Sequence, residues 1–145
     1  MMNEVKKLHA ELVAAPALER DELPQEDKFP GVYAFSEKGR VLYVGRGKNV
    51  RKRIMQQSLD SMHDAPFAHR LARQATGRRA TYKAEGGRKW LKSNGEFCEA
   101  LRSAKERIRR MNVRYVRVED PVTQALLEIY TSTVLGTPHN EFKTT

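Results

Sequence analysis

GVYAFSEKGRVLYVGRGKNVRKR, Gly31 to Arg53, is the stretch on which the fold turns. It holds two runs rich in β-branched and aromatic residues, Gly31–Ser36 and Arg40–Gly45, separated by Glu37-Lys38-Gly39. Such residues suit a pleated, half-buried surface, and glycine punctuates turns. The runs therefore predict an antiparallel hairpin. A two-residue turn at Lys38-Gly39 would need Lys38 at positive φ, which a residue with a Cβ disfavours. A three-residue loop needs positive φ only at Gly39. That choice places Ser36 opposite Arg40, Phe35 opposite Val41, Ala34 opposite Leu42 and Tyr33 opposite Tyr43. Residues opposed across an antiparallel pair share a face. The two tyrosines are thus expected side by side. Val32, Ala34, Leu42 and Val44 face the other way as core.

Working outward, Asn3–Ala15 reads as an amphipathic helix, with Val5, Leu8 and Leu12 at helical spacing. Pro16, Pro24 and Pro30 mark a connecting loop over 16–30. After the hairpin, Asn49 is placed to cap a helix reaching about Ser58, and Asp64 a second reaching about Thr76. Phe67, Leu71 and Ala75 form the expected inward side of the second. Residues 77–92 are basic and glycine-dotted and read as irregular. Ser93-Asn94-Gly95-Glu96 is a capping box that opens a helix striped by Phe97, Leu101, Ala104, Ile108 and Met111. Val113–Val118 alternates as a strand. Asp120-Pro121 reads as an N-cap and first helical residue, and Gly136 closes that last helix. The sum is a single α+β domain over 1–145. It has a small central three-stranded antiparallel sheet flanked by helices, an N-terminal helix and linker over 1–28, and a basic helical insertion over 59–112.

Charge narrows the partners. The chain carries +9, unevenly placed. Residues 1–28 hold four Lys/Arg against seven Asp/Glu, so the remainder carries +12. Between Arg70 and Arg117 there are 15 Lys/Arg against four acids. Nucleic acid is the natural partner of such a surface, because each phosphate contact releases a condensed counterion. Arg78, Arg79, Arg88 and Lys89 in the irregular segment, with Arg102, Lys105 and Arg109 on the following helix, are the expected backbone grip. A solvated, ion-paired helix face is the plainer alternative. Trp90 could stack on a base or simply be buried. No apolar run approaches the roughly 18 residues of a membrane span. The charged N-terminus lacks a signal-peptide core. The single Cys98 fits a reducing cytoplasm. Four scattered histidines offer no zinc spacing.

Gly31-Val32-Tyr33 and Tyr43-Val44-Gly45, with nine residues between, resemble the paired triplets of the GIY-YIG nucleases. Arg53, eight residues after Gly45, falls where that family carries an arginine on the next helix. Glu128 in Ala125–Ile129 resembles the family's metal-holding glutamate on a late helix. Asn140 in Pro138-His139-Asn140 resembles its C-terminal asparagine. The likeness covers roughly 30–58 and 113–141, and the middle of the chain departs from the short members. Gln57 stands where some members have a histidine, and Arg46 where others have lysine or a small polar residue.

The resemblance implies Mg²⁺- or Mn²⁺-dependent hydrolysis of DNA phosphodiester bonds, with RNA left open. Tyr33, Tyr43, Arg53, Glu128 and Asn140 would form the site. Glu128 would supply the metal ligand and Arg53 would grip the scissile phosphate. One tyrosine, preferably Tyr43, would accept a proton, and Tyr33 would be its partner or take the reverse role. Asn140 would orient a tyrosine or the phosphate. Arg46, Lys48, Arg51 and Lys52 would add positive charge. Two other readings stand beside this one: a nucleic-acid-binding module without catalysis, and a subunit or homodimer targeted by a protein partner.

Overall fold

The computed structural model describes residues 1–25, 28–58, 65–77 and 95–140. The chain divides into two compact units, 1–55 with 111–145, and 56–110. The second unit nearly coincides with the insertion expected at 59–112.

In the first unit, α1 (Met2–Ala14) is followed by β1 (Leu18–Glu19), β2 (Gly31–Glu37), β3 (Arg40–Gly47), α2 (Val50–Gln56), β4 (Asn112–Arg117) and a final helix, Pro121–Leu135. The sheet is antiparallel with order β1-β4-β2-β3. It has four strands, not three. Leu18 and Glu19 pair with Val113 and Asn112 along the outer side of β4. Two residues between prolines carry too little pattern to announce a strand, and the unpaired edge of β4 supplies the template.

One sheet face is apolar. Val32, Ala34, Val44 and Val116 pack with Val5 and Leu12 of α1 and Leu127 of the last helix. His9 on α1 shares a 3.0 Å hydrogen bond between Nδ1 and Thr131 Oγ1, and its ring meets Tyr130 edge-on at 5.1 Å. Asp120 caps the last helix as expected. Its Oδ2 accepts from Thr123 N at 2.9 Å and from Thr123 Oγ1 at 2.8 Å, and these bonds hold the carboxyl below its usual range. Gly136 ends that helix at φ 61°.

The hairpin departs from the expected register. Lys38 and Gly39 both take positive φ, 52° and 78°, and Glu37 pairs with Arg40. This is a two-residue turn of the primed kind, whose twist matches the flanking strands. That fit outweighs the steric cost at Lys38. Alone, it would have set Ala34 against Tyr43 and put the tyrosines on opposite faces. A bulge prevents this. Ser36 pairs with Val41, Phe35 with Tyr43, and Leu42 is the extra residue between. Tyr33 therefore lies opposite Gly45, diagonal to Tyr43 but on the same face. Val41, not Leu42, packs against the apolar cluster. Lys38→Asn is expected to stabilise the protein by about 1 kcal/mol, because asparagine tolerates the left-handed region. Chemical denaturation would read this as a higher midpoint at unchanged m-value.

In the second unit, Pro66–Thr76 (α3) and Gly95–Arg109 (α4) pack together, with the His69 and Phe97 rings 5.8 Å apart. The final helix, Pro121–Leu135, is therefore α5. Ala65, not Asp64, occupies the cap position of α3. Gln57 Oε1 accepts from Phe67 N at 3.2 Å and satisfies that helix end from outside it. Ala75 is exposed, while Ala68, His69 and Ala72 join Phe67 and Leu71 inside. Asp64, residues 78–94 and their Arg78, Arg79, Arg88, Lys89 and Trp90, and the first two residues of the capping box lie outside the described residues.

Candidate functional site

The site grows from the last turn of β3. This is an edge strand, and its four residues Val44–Gly47 each meet a different candidate. Asn140 reaches Val44 from the C-terminal segment. Its Oδ1 accepts from Val44 N at 2.9 Å and its Nδ2 donates to Val44 O at 2.7 Å. Thr137 Oγ1 also donates to Asn140 Oδ1, at 2.8 Å. His139 N donates to Leu42 O at 3.3 Å. The segment thus closes the open edge of β3 on both sides of Tyr43. Asn140 was expected to orient a tyrosine or a phosphate directly. Its amide instead fixes the backbone next to Tyr43. Asn140→Ala removes two edge bonds and is expected to cost about 2 kcal/mol, read by thermal denaturation.

Gly45 lies under Tyr33. A Cβ there would overlap the Tyr33 phenol, with Cε2 at 2.9 Å and Cζ and Oη nearer still. Tyr33 is fully buried and stands edge-on to Phe35 at 5.7 Å. Tyr43 is half-buried. Of the pair, Tyr43 is the one open to solvent.

Arg46 meets Glu128. Its Nε is 3.8 Å from Glu128 Oε1, with side chains 43% and 20% exposed. Burial pushes the Glu128 carboxyl up, and the Arg46 guanidinium offsets part of that rise. Gln124, Thr131 and Ser132 are the helical neighbours of Glu128. All three are buried. Gln124 Nε2 donates to Val118 O at 2.7 Å, and Ser132 Oγ donates to the carbonyl of Glu128 itself. Glu128 is held on a polar but inward face.

Gly47 meets Arg53. A Cβ at Gly47 would fall 2.6 Å from Arg53 Cγ, so the arginine stem lies in the space that glycine leaves. Asn49 Oδ1 accepts from Lys52 N at 3.1 Å and starts α2, as expected, which sets Arg53 on its half-buried side. At the other triplet, a Cβ on Gly31 would run into the Val116 carbonyl and come within 3.1 Å of Val50 Cγ2.

The candidates do not share one sheet face. Tyr33, Tyr43 and Gly45 lie on one side. Arg46 pairs with Val32 on the other, the side covered by α1 and α5. They converge around the β3 edge.

The basic residues divide. Lys48 and Lys52 are exposed, Arg51 and Arg53 half-buried. On α4, Arg102 is exposed, but Lys105 is 2% exposed. Leu101, Ala104, Lys105 and Ile108 follow helical spacing, so Lys105 belongs to the inward stripe and is no phosphate contact. Arg109 is half-buried and its Nε donates to Ser58 O at 2.9 Å, an internal role. The glycines and the Arg46–Glu128 pair escaped the sequence reading. The only signal was that both triplets carry glycine at their outer ends.

Among the described residues, no group of three or more His, Cys, Asp or Glu could hold a metal as a ready-made cage. Mg²⁺ does not require one. It is commonly held by one or two carboxylates, substrate oxygens and water. A single partly buried Glu128, its charge only partly met by Arg46, suits that mode. Among the described residues no helix is long and apolar enough to cross a membrane. Comparison with protein-family models, with curated proteins and with solved structures finds no match for this chain.

Proposed function

We propose that this protein is a GIY-YIG-type endonuclease that hydrolyses DNA phosphodiester bonds with Mg²⁺ or Mn²⁺. One observation carries the reading. Val44, Gly45, Arg46 and Gly47 touch Asn140, Tyr33, Glu128 and Arg53 in turn. Residues 96 positions apart are thereby gathered at one strand end. A structural role for any single contact is easy to supply; four consecutive ones on the expected residues are not.

Each side chain has a task that suits its surroundings. Arg53, held by its stem, donates to the scissile phosphate and offsets charge that builds on it. Tyr43 accepts the proton of the attacking water. Tyr33, buried and packed over Gly45, sets the position of Tyr43 through the shared face. Asn140 holds the strand on which Tyr43 stands. Glu128 would hold the metal, which when bound polarises the phosphate and stabilises the leaving oxygen. The lone Cys98 fits work in a reducing cytoplasm.

Plasmid and oligonucleotide cleavage, with Mg²⁺ or with chelator, tests the reading. Wild type should cleave only with metal, and Arg53→Ala should lose activity while keeping its circular dichroism. Metal-independent binding without cleavage by the wild type would favour the binding-module alternative.

A further inference from the structure

Arg117 stands outside every role assigned so far. It ends β4 and pairs across the sheet with Gly31, which pairs in turn with Gly47, the residue against the Arg53 stem. Arg117 and Arg53 therefore bracket one row at the same end of the sheet. Arg117 is well exposed, and its guanidinium carbon sits 5.2 Å from the centre of the Phe29 ring. Its ion pair with Glu119 is long, 3.7 Å, between side chains 63% and 77% exposed, so solvent screens most of it. Phe29 is itself fixed. It is 7% exposed, tilts against Tyr115 at 5.3 Å, and its carbonyl accepts from Val50 N at 3.0 Å. Arg51 borders the same ring, closing a small cavity with Leu23, Phe29, Val50 and Tyr115. Its Nε is buried and has no hydrogen-bond partner.

A guanidinium laid on a rigid aromatic keeps its planar donors pointed outward with little entropy left to lose. Two cations beside one such ring, with Glu119 the carboxylate paired to Arg117 among the described residues, make a place suited to an external anion. We propose that Arg117 and Arg51 form a second phosphate site, next to Arg53, that takes the nucleic-acid backbone adjoining the scissile phosphate. This inference rests on the nuclease reading and names a part of its substrate surface. Such contacts position a strand without reading its sequence. Arg117 then sets where the backbone lies relative to Tyr43 and Arg53.

Fluorescence anisotropy of a labelled DNA duplex, titrated in chelator over a range of salt, tests it. Each phosphate contact adds about 0.9 to the slope of log affinity against log salt. Arg117→Gln should lower the slope by about 0.9 and Arg117→Gln with Arg51→Gln by about 1.8. Glu119→Gln should tighten binding, since it removes the competing carboxylate. Thermal denaturation of each variant guards against misfolding, and Arg117→Lys should restore the slope but not the full affinity. A wild type that binds duplex with a steep slope, unchanged in both glutamine variants, overturns this site and leaves the nuclease reading standing. A wild type that neither binds nor cleaves DNA overturns both.

Discussion

Glu128→Gln is expected to lower metal-dependent cleavage by a factor on the order of 10³, while the protein stays folded. The amide keeps the shape of the side chain but is a poor partner for a hard cation. The fold should not suffer, because the carboxylate is under strain where it lies. Burial raises its pKa in the folded chain above the ordinary value, and Arg46 only partly compensates. The folded state therefore holds the Glu128 proton to higher pH than the unfolded state does. Stability falls as pH rises between the unfolded and the raised folded value, and the penalty is complete above it. Glutamine carries no such penalty. The variant should be at least as stable as wild type at neutral pH, and the difference should vanish in acid below the unfolded pKa. Thermal denaturation across that range reads both limits. A variant that unfolds at neutral pH would mean that Glu128 serves mainly as the partner of Arg46.

Gly45→Ala should act in the opposite way, on the fold first. The added methyl enters the volume of a fully buried Tyr33 ring that Phe35 holds edge-on. Neither the ring nor the strand can yield cheaply, and overpacking of this kind costs about 1–3 kcal/mol. For a domain of this size that is roughly a 3–10 °C drop in midpoint. Gly47→Ala makes a separable comparison. Its methyl meets the flexible Arg53 stem at Cγ, which can swing away. The expected result is a small loss of stability with a loss of cleavage approaching that of Arg53→Ala. Equal stability losses in the two variants would contradict the difference between a locked ring and a movable stem.

The elements were legible in the sequence where local chemistry is strong. Asn49, Asp120 and Gly136 cap their helices as their types require, and Asp120-Pro121 marks a helix start without ambiguity. The hairpin was legible as a hairpin, and Tyr33 and Tyr43 do lie on one face of it. Its register was not. Two departures, the Lys38-Gly39 turn and the Leu42 bulge, cancel in their effect on the face. The bulged residue is met by the C-terminal segment, whose His139 N bonds to Leu42 O from 97 positions away. No local pattern encodes that. Lys105 was misplaced for a related reason: a charged side chain within an apolar stripe reads as outward until the neighbouring helix is known. For the candidate site, the resemblance picked out residues, but their supports were invisible. The Arg46–Glu128 pair and the seating of Tyr33 and Arg53 on two glycines arise from tertiary contact. They convert a spaced motif into four contacts on consecutive residues of one strand.

The most direct test of the central claim is supercoiled plasmid incubated with purified protein, with Mg²⁺ and with chelator, beside Glu128→Gln and Arg53→Ala at matched folding. Nicked or linear DNA is expected from the wild type with Mg²⁺ alone, and intact plasmid in the other lanes. Cleavage by both variants at the wild-type rate, or by the wild type in chelator, would contradict that claim.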